Sequence, residues 1–419
     1  MAHVLVLSLV FPPDGVSTAQ IVGDLALDLR THGHQLTVVT STPHYNRDPR
    51  AEATQPRSSI VGRLIQRSSW HGVPVYHVYV PRKGPSVVLR LLAWAGFHVL
   101  STLTAIALVR RPDLIFAPSP PLTIGINAWL IGLIKRCPFI YNVQELYPDL
   151  AINLGALRNP IAIRFLLRLE RWTYRAAAFV SVITPRMRQR LLEKGVSGDK
   201  VAVVPNFVDI ADLRPGPQDN PFTRAHRLDH RFVASYAGNM GPAQGVDIIV
   251  EVADKLRDAP DLVIALIGGG TEVPRLAEAV ERKQLSNVRL IPHQPYAEVP
   301  NIYAGSSVCL VLQAPGIGAD AIPSKVYRIM ACAKPIVACT DRDSDLAQLV
   351  RDAGCGEVVP PGDVEALARV LVDAYQHREV WEARGRAGRA HVERHYTRVE
   401  ISAQYDALVR AVARASVMG

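Results

Sequence analysis

Lys325 and Arg328 are charges placed at the wrong end of a helix. Ser324 reads as an N-cap after Pro323, and Val326, Ile329, Met330 and Ala333 follow at helical spacing, which predicts a helix over 324–333. Both cations then fall in its first turn, where the partial positive charge of the helix disfavours them by roughly 0.3–1 kcal/mol each. An anion held there by free backbone N–H groups and by both side chains would reverse that cost. The plainer alternative has the two side chains reaching into solvent or pairing with Asp320.

Two glycine-rich stretches point the same way. Gly238-Asn239-Met240-Gly241-Pro242-Ala243-Gln244-Gly245 and Gly268-Gly269-Gly270 each follow a strand-like apolar run. Small turns at these places would let the backbone approach a pyrophosphate closely, the first of them opening a helix. Neither matches G-x-G-x-x-G, and no G-K-[ST] occurs, so a dinucleotide-dependent oxidoreductase and a P-loop NTPase both lose support. On the acid side, Gln144-Glu145 closes another strand-like run and Asp149 follows in Leu-Tyr-Pro-Asp.

The elements that must position these residues alternate along the whole chain. Apolar runs of strand length fall at 4–10, 36–40, 75–80, 114–117, 139–143 and 179–183. Helical patterns lie between them, among them 18–30 and 160–175, the latter with arginines at three- and four-residue intervals. After a turn-rich stretch near 205–221 the alternation restarts, with strands expected at 232–237, 262–267, 288–291, 308–311 and 335–338. Helices are expected at 245–257, 273–283, 298–304, 344–353 and 363–377. With 419 residues, two domains are expected: 1–205, with a tail helix at 398–418 packing back on it, and 206–397. The fold class is α/β, with two Rossmann-like parallel sheets facing across a cleft to which the carboxyl ends of the strands bring the loops.

Charge is divided unevenly. Residues 1–210 carry 23 Lys and Arg against 12 Asp and Glu, whereas residues 211–419 carry 24 against 26. The surplus suits an anionic partner for the first half, and a membrane surface fits better than nucleic acid, for which no recognition motif is present. Residues 86–109 are long and apolar enough to raise the question of a membrane span. Arg90, His98 and the Ser/Thr cluster at 101–104 interrupt them, which favours a buried or interfacial helix flanked by Arg110 and Arg111. Five cysteines without a CxxC pair read as reduced core residues, and Met1 leads straight into a strand, so no signal peptide is expected. His34, His44, His71 and His293 have no partners at ligand spacing, and no metal site is expected.

In this order the motifs resemble the retaining glycosyltransferases of family 4, which have the two-Rossmann GT-B fold, and in particular the bacterial subgroup of L-fucosamine-type, colanic-acid and O-antigen transferases. Phe11-Pro-Pro-Asp-Gly resembles the family's loop after the first strand, and Gly33-His34 with Val38-Val39-Thr40 its second strand. Val203-Val204-Pro205-Asn206 through Asp209 resembles the hinge. Gly238-Asn239 and Gln244-Gly245 stand where many members have Gly-Arg and Lys-Gly; Ser324-Lys325 and Met330 to Pro335 resemble the donor-site helix.

The resemblance implies a metal-independent, cofactor-free hexosyltransferase that uses a nucleotide-diphospho-sugar, with a UDP-sugar the expected donor. It implies a lipid-linked saccharide or related acceptor in cell-surface polysaccharide synthesis, no nucleic acid, and a cytoplasmic location, peripheral on the inner face of the membrane. Glu145, Asn239, Lys325 and Asp320 form the candidate catalytic set. Gly15, Gly238, Gly241, Gln244, Gly269 and Gly270, together with Asn239, Ser324, Lys325 and Arg328, form the candidate donor site. The resemblance places Asp14, Gln144, Glu145 and Asp149 on the acceptor side: Gln144-Glu145 stands where many members have His-Asp, and Glu145 reads equally as a group that orients the acceptor hydroxyl and as a cap or ion-pair partner. The chain departs from the family at Arg328, where a second carboxylate is usual eight positions after the first. A guanidinium cannot accept a ribose hydrogen bond, so Arg328 contacts phosphate, the donor is held otherwise, or activity is lost. A GT-B nucleotide-sugar epimerase and a non-catalytic binding subunit are the alternatives.

Overall fold

The computed structural model describes residues 1–45, 49–81 and 87–418. Residue 86 and the side chain of Arg90 lie outside the described residues. Two compact units are present, one made of Met1–Pro205 with Val399–Gly419, the other of Asn206–Arg398.

Among its described residues the first unit contains nine strands: β1 (His3–Leu7), β2 (Gln35–Ser41), β3 (Ser58–Val61), β4 (Ile65–Trp70), β5 (Val73–Val78), β6 (Leu114–Pro118), β7 (Phe139–Val143), β8 (Phe179–Val182) and β9 (Val201–Val203). They form one sheet in the order β3-β4-β5-β2-β1-β6-β7-β8-β9. From β5 to β9 every pairing is parallel. The central strands are unbroken apolar runs because helices cover both faces. The alternation rule predicted a purely parallel sheet, and here the structure corrects it. β3 and β4 add an antiparallel hairpin at one edge, with β4 also antiparallel to β5. The run was missed because its outer strand is exposed throughout and carries little periodic signal.

The second unit contains β10 (Phe232–Asn239), β11 (Leu262–Gly269), β12 (Val288–Ile291), β13 (Val308–Leu312), β14 (Ile336–Cys339) and β15 (Gly356–Val359). All are parallel, in the order β12-β11-β10-β13-β14-β15. The order reverses between β10 and β13, the place in such a sheet where loops diverge and leave room for a ligand. Helix Arg378–His395, which the apolar pattern did not reveal, packs Gly385 and Gly388 against the core of this unit.

Helix Val87–Leu108 turns Phe97, Ser101, Thr104 and Ala105 inward and leaves Val99 and Leu103 exposed. The buried amide of Asn127, on helix Ile124–Lys135, donates to His98 O (2.8 Å), Ser101 Oγ (3.2 Å) and Thr102 Oγ1 (3.0 Å). The interrupting polar residues therefore bind a neighbouring helix, and among the described residues no helix is long and apolar enough to cross a membrane. The C-terminal helix Arg398–Met418 packs on the first unit. Tyr405 Oη accepts from Asn142 (3.1 Å) and Asp406 meets His34 at 2.6 Å.

Replacing Asn127 by Ala strips three acceptors of one buried donor and is expected to cost about 1–3 kcal/mol. Urea unfolding of the full chain checks this; an unchanged midpoint would show that the amide carries no weight in joining the two helices.

Candidate active site

β10 and β11 run past the points at which their apolar sequences end. Gly238 pairs with Gly268 and Asn239 with Gly269, so the glycines taken as turns are the last rungs of the ladder. Gly238 and Gly268 have φ of 147° and 142°, a region open to glycine alone. A Cβ on Gly268 would lie 2.0 Å from Gly238 O. The result is a stretch of paired backbone without side chains at the carboxyl edge of the sheet, with Asn239, Gly269 and Gly270 exposed. Gly241 closes the first loop, and a single turn of 3-10 helix, Pro242–Gln244, precedes Gly245 in a left-handed conformation (φ 56°). The regular helix begins only at Ile248, so no helix N-terminus opens directly at Gly245. Gln244 Oε1 accepts from Asn239 Nδ2 and from Gly241 N, both at 3.0 Å, which fixes the Asn239 amide over this edge.

Lys325 reaches the same edge from the loop after β13. Its ammonium lies 3.8 Å from the ring centre of Tyr236, two residues before Gly238 on β10. A Cβ on Gly238 would stand 2.6 Å from Lys325 Nζ, so the side chain occupies space that only glycine leaves open. No carboxylate or other hydrogen-bond partner meets this ammonium among the described residues. A desolvated cation–π contact returns about 2 kcal/mol, against several kcal/mol to remove an ammonium from water. Desolvation wins, and burial pulls the Lys325 pKa down to about 7. Tyr236 Oη donates to Asn239 O at 2.5 Å, tying the platform to the loop.

Arg328, one turn on, is half-buried with its guanidinium 5.1 Å from the ring centre of Tyr296, and it too has no acidic partner among the described residues. The helix is shorter than its spacing predicted, Lys325–Ala331, and Ser324 occupies the N-cap position without a side-chain capping bond. Ala333, expected inside it, stands in a left-handed conformation (φ 53°) that ends it.

Several predicted residues have other tasks. Asp320 is wholly buried in the loop between β13 and helix Lys325–Ala331. Asp149 is held by Lys194 (2.6 Å) and Arg190 (3.2 Å), and Lys194 also pairs with buried Glu170 (2.6 Å), a network that anchors helix Pro185–Glu193. Asp14 is buried and accepts the backbone N–H groups of His44 (3.1 Å) and Tyr45 (3.3 Å), joining two loops of the first unit. Gln144 donates to Asn142 Oδ1 (2.6 Å) within a buried network. Gly15 lies half-exposed in the turn before helix Ser17–Thr31. For Asp149 the ion-pair partners decide the role, and they come from distant sequence.

Glu145 differs from the other acids. At the carboxyl end of β7 it is half-buried, no donor meets its carboxylate among the described residues, and burial alone raises its pKa to about 6. Among the described residues no group of His, Cys, Asp and Glu is arranged to hold a metal ion. Three contributors were not anticipated: Tyr236, Tyr296 and Asp341. Asp341 accepts from Gly316 N and Gly318 N (both 3.1 Å) and shapes the loop after β13. A polar pair, Thr340-Asp341, at the end of a buried strand was the available signal.

Residues 18–206 match the model of a glycosyl transferase 4-like domain, and residues 220–391 match the glycosyl transferases group 1 domain. The chain belongs to the glycosyltransferases. This glycosyltransferase is 27% identical over 372 residues to the putative colanic acid biosynthesis glycosyl transferase WcaI of Escherichia coli, covering 87% of this chain and 90% of that protein. It is 26% identical to the probable glycosyltransferase WbjE of Pseudomonas aeruginosa, over 62% of this chain and 66% of the other. Its fold is that of Anabaena HepE crystallised with UDP-glucose (TM-score 0.73, 17% identity, 98% of this chain and 100% of that one). Sucrose-phosphate synthase of Thermosynechococcus elongatus shares it as well (TM-score 0.76, 17% identity, 99% and 100%). The GT-B fold expected from the motif order is the fold observed, and membership of a transferase family removes the epimerase and the non-catalytic subunit.

Because the folded-state pKa of Lys325 lies below its unfolded value near 10.4, unfolding takes up a proton between the two. The wild type should therefore gain stability relative to Lys325→Met as pH rises from about 7 towards 10. Paired denaturation curves at pH 7 and pH 9.5 test this; parallel behaviour would mean that the ammonium is solvated.

Proposed function

We propose that this glycosyltransferase moves a sugar from a nucleotide-diphospho-sugar, with UDP the expected carrier, to a lipid-linked saccharide in cell-surface polysaccharide synthesis. The anomeric configuration is retained, no metal ion or other cofactor takes part, and the protein works peripherally at the inner face of the cytoplasmic membrane. The observation that carries the donor half is the desolvated Lys325 ammonium without a counter-ion beside the glycine edge of β10 and β11. An anion arriving there supplies the missing charge, and Lys325 becomes fully protonated as it binds. Support for the biological setting comes from a relative named for colanic acid biosynthesis and from a neighbour crystallised with UDP-glucose.

When the bond from the sugar to the diphosphate breaks, negative charge grows on the leaving oxygen. Lys325, and Asn239 through the amide hydrogen not used on Gln244, act on that charge. Side-chain-free backbone at Gly238, Gly269 and Gly270 admits the diphosphate at close range. Arg328 adds a second positive charge on the phosphate side, in place of a carboxylate. On the first unit, Glu145 accepts a hydrogen bond from the attacking hydroxyl of the acceptor and is ionised above pH 6.

Lys325→Ala is expected to weaken UDP binding ten- to a hundredfold, as for loss of a charged hydrogen bond of about 1.5–3 kcal/mol, with little loss of folded stability. Isothermal calorimetry reads this directly, and unaltered affinity would remove Lys325 from the donor site. Glu145→Gln should lower kcat by about 10²- to 10⁴-fold and abolish the rise in rate through pH 6. A variant that keeps the wild-type pH–rate profile would leave Glu145 with a purely structural task.

A further inference from the structure

We infer that three helices on one face of the first unit form a docking surface for an anionic lipid bilayer, which rests on the reading that the acceptor is carried by a lipid. Helices Val87–Leu108, Ile124–Lys135 and Pro160–Ala176 follow β5, β6 and β7 in turn, and right-handed crossovers in one direction place them on the same side of the sheet. Trp129 and Trp172 join the second helix to the third edge to face, with ring centres 5.3 Å apart. Of twenty large apolar side chains exposed among the described residues, eleven lie on these three helices. Val99 and Leu103 stand out from the first, Leu133 and Ile134 from the second, and Ile161 and Phe165 from the third, with Phe165 63% and Ile161 76% exposed. A patch of this extent is unusual on a surface that meets only water.

Charge selects the occupant. Arg164, Arg168, Arg171 and Arg175 are all exposed and form one stripe along the third helix, beside Ile161 and Phe165. The three helices together contain a single carboxylate, Glu170, which is buried and paired with Lys194. Apolar side chains next to a row of arginines with no exposed acid suit acyl chains below and anionic headgroups above. Trp94 and Trp129, partly exposed, suit the boundary between them. A second copy of the chain is a poorer occupant, because a twofold contact through this face would set the arginine stripe against its own image.

The test uses the full chain with sucrose-loaded vesicles of phosphatidylcholine, with and without about a third phosphatidylglycerol. Co-sedimentation with the anionic vesicles and not with the neutral ones is expected, weakening as salt rises. Arg168→Gln with Arg171→Gln should weaken it about thirtyfold, and Ile161→Ser with Phe165→Ser at least tenfold. Both pairs are exposed, so folding and calorimetric UDP affinity should be unchanged, whereas Lys325→Ala should bind vesicles like the wild type. Equal binding to both kinds of vesicle, indifference to both double variants, or a dimer in sedimentation equilibrium that Ile161→Ser with Phe165→Ser dissolves would overturn the inference. None of those results bears on donor binding, which UDP calorimetry reports separately.

Discussion

A lysine side chain held over a tyrosine ring, with no acid to answer it among the described residues, is the constraint around which the glycine edge of the second unit is arranged. Tyr236 and Gly238 are two positions apart on β10 and so share a face of the strand. One supplies the ring on which Lys325 rests, and the other supplies the gap it fills. Lys325 arrives from the loop after β13, the neighbour of β10 where the strand order reverses. The topology thus brings a cation to the one edge where two strands end in paired glycines. The cation–π contact is too weak to offset the loss of water, so the arrangement holds its charge at a cost that a bound anion removes.

The distinction between paired and unpaired charges separates structure from chemistry across the molecule. Asp149, Glu170, Lys194 and Arg190 satisfy one another, and Asp341 satisfies two backbone N–H groups of its loop. Glu145 in the first unit and Lys325 with Arg328 in the second stand apart: half-buried, with no oppositely charged partner among the described residues. Burial pushes Glu145 up to about 6 and Lys325 down to about 7, so one cause brings both towards neutrality from opposite sides. Groups perturbed by desolvation alone are the ones a substrate can still complete.

What could be read from the sequence follows from the range of the interactions involved. The central strands of both sheets were legible because continuous apolar runs such as Val4–Leu7 and Leu262–Ile267 are dictated by burial on both faces. The glycine stretches and Lys325 were legible as residue types. Their geometry was not, since Gly238 and Gly268 extend strands through a pairing between segments thirty residues apart. The partners of Asp149 lie some forty residues away on another helix, and the burial of Asp320 depends on how its loop folds under β13. Tyr236 was hidden for a different reason: inside an apolar strand, an aromatic residue that carries a cation looks like one that fills a core. Arg328 was visible as a departure from the family, but its resting place on Tyr296 depends on a loop that follows β12.

The short helix after Ser324 shifts the weight of the expected anion site from the helix end to the side chains. On sequence alone, two cations near a helix start point to an anion bound by helix ends as well as by side chains. The helix has seven residues, Lys325–Ala331, and Ser324 leaves its hydroxyl out of the cap. So brief an element offers little aligned dipole. What remains is a half-buried amine whose charge an arriving anion would complete, a guanidinium one turn away, and backbone cleared of Cβ atoms by glycine. In a partly buried place, a unit charge without a partner outweighs the half charge of a helix end. The anion affinity proposed for this edge therefore rests on Lys325 and Arg328 rather than on the helix, and requires that Tyr236 and Gly238 keep the Lys325 amine where it is.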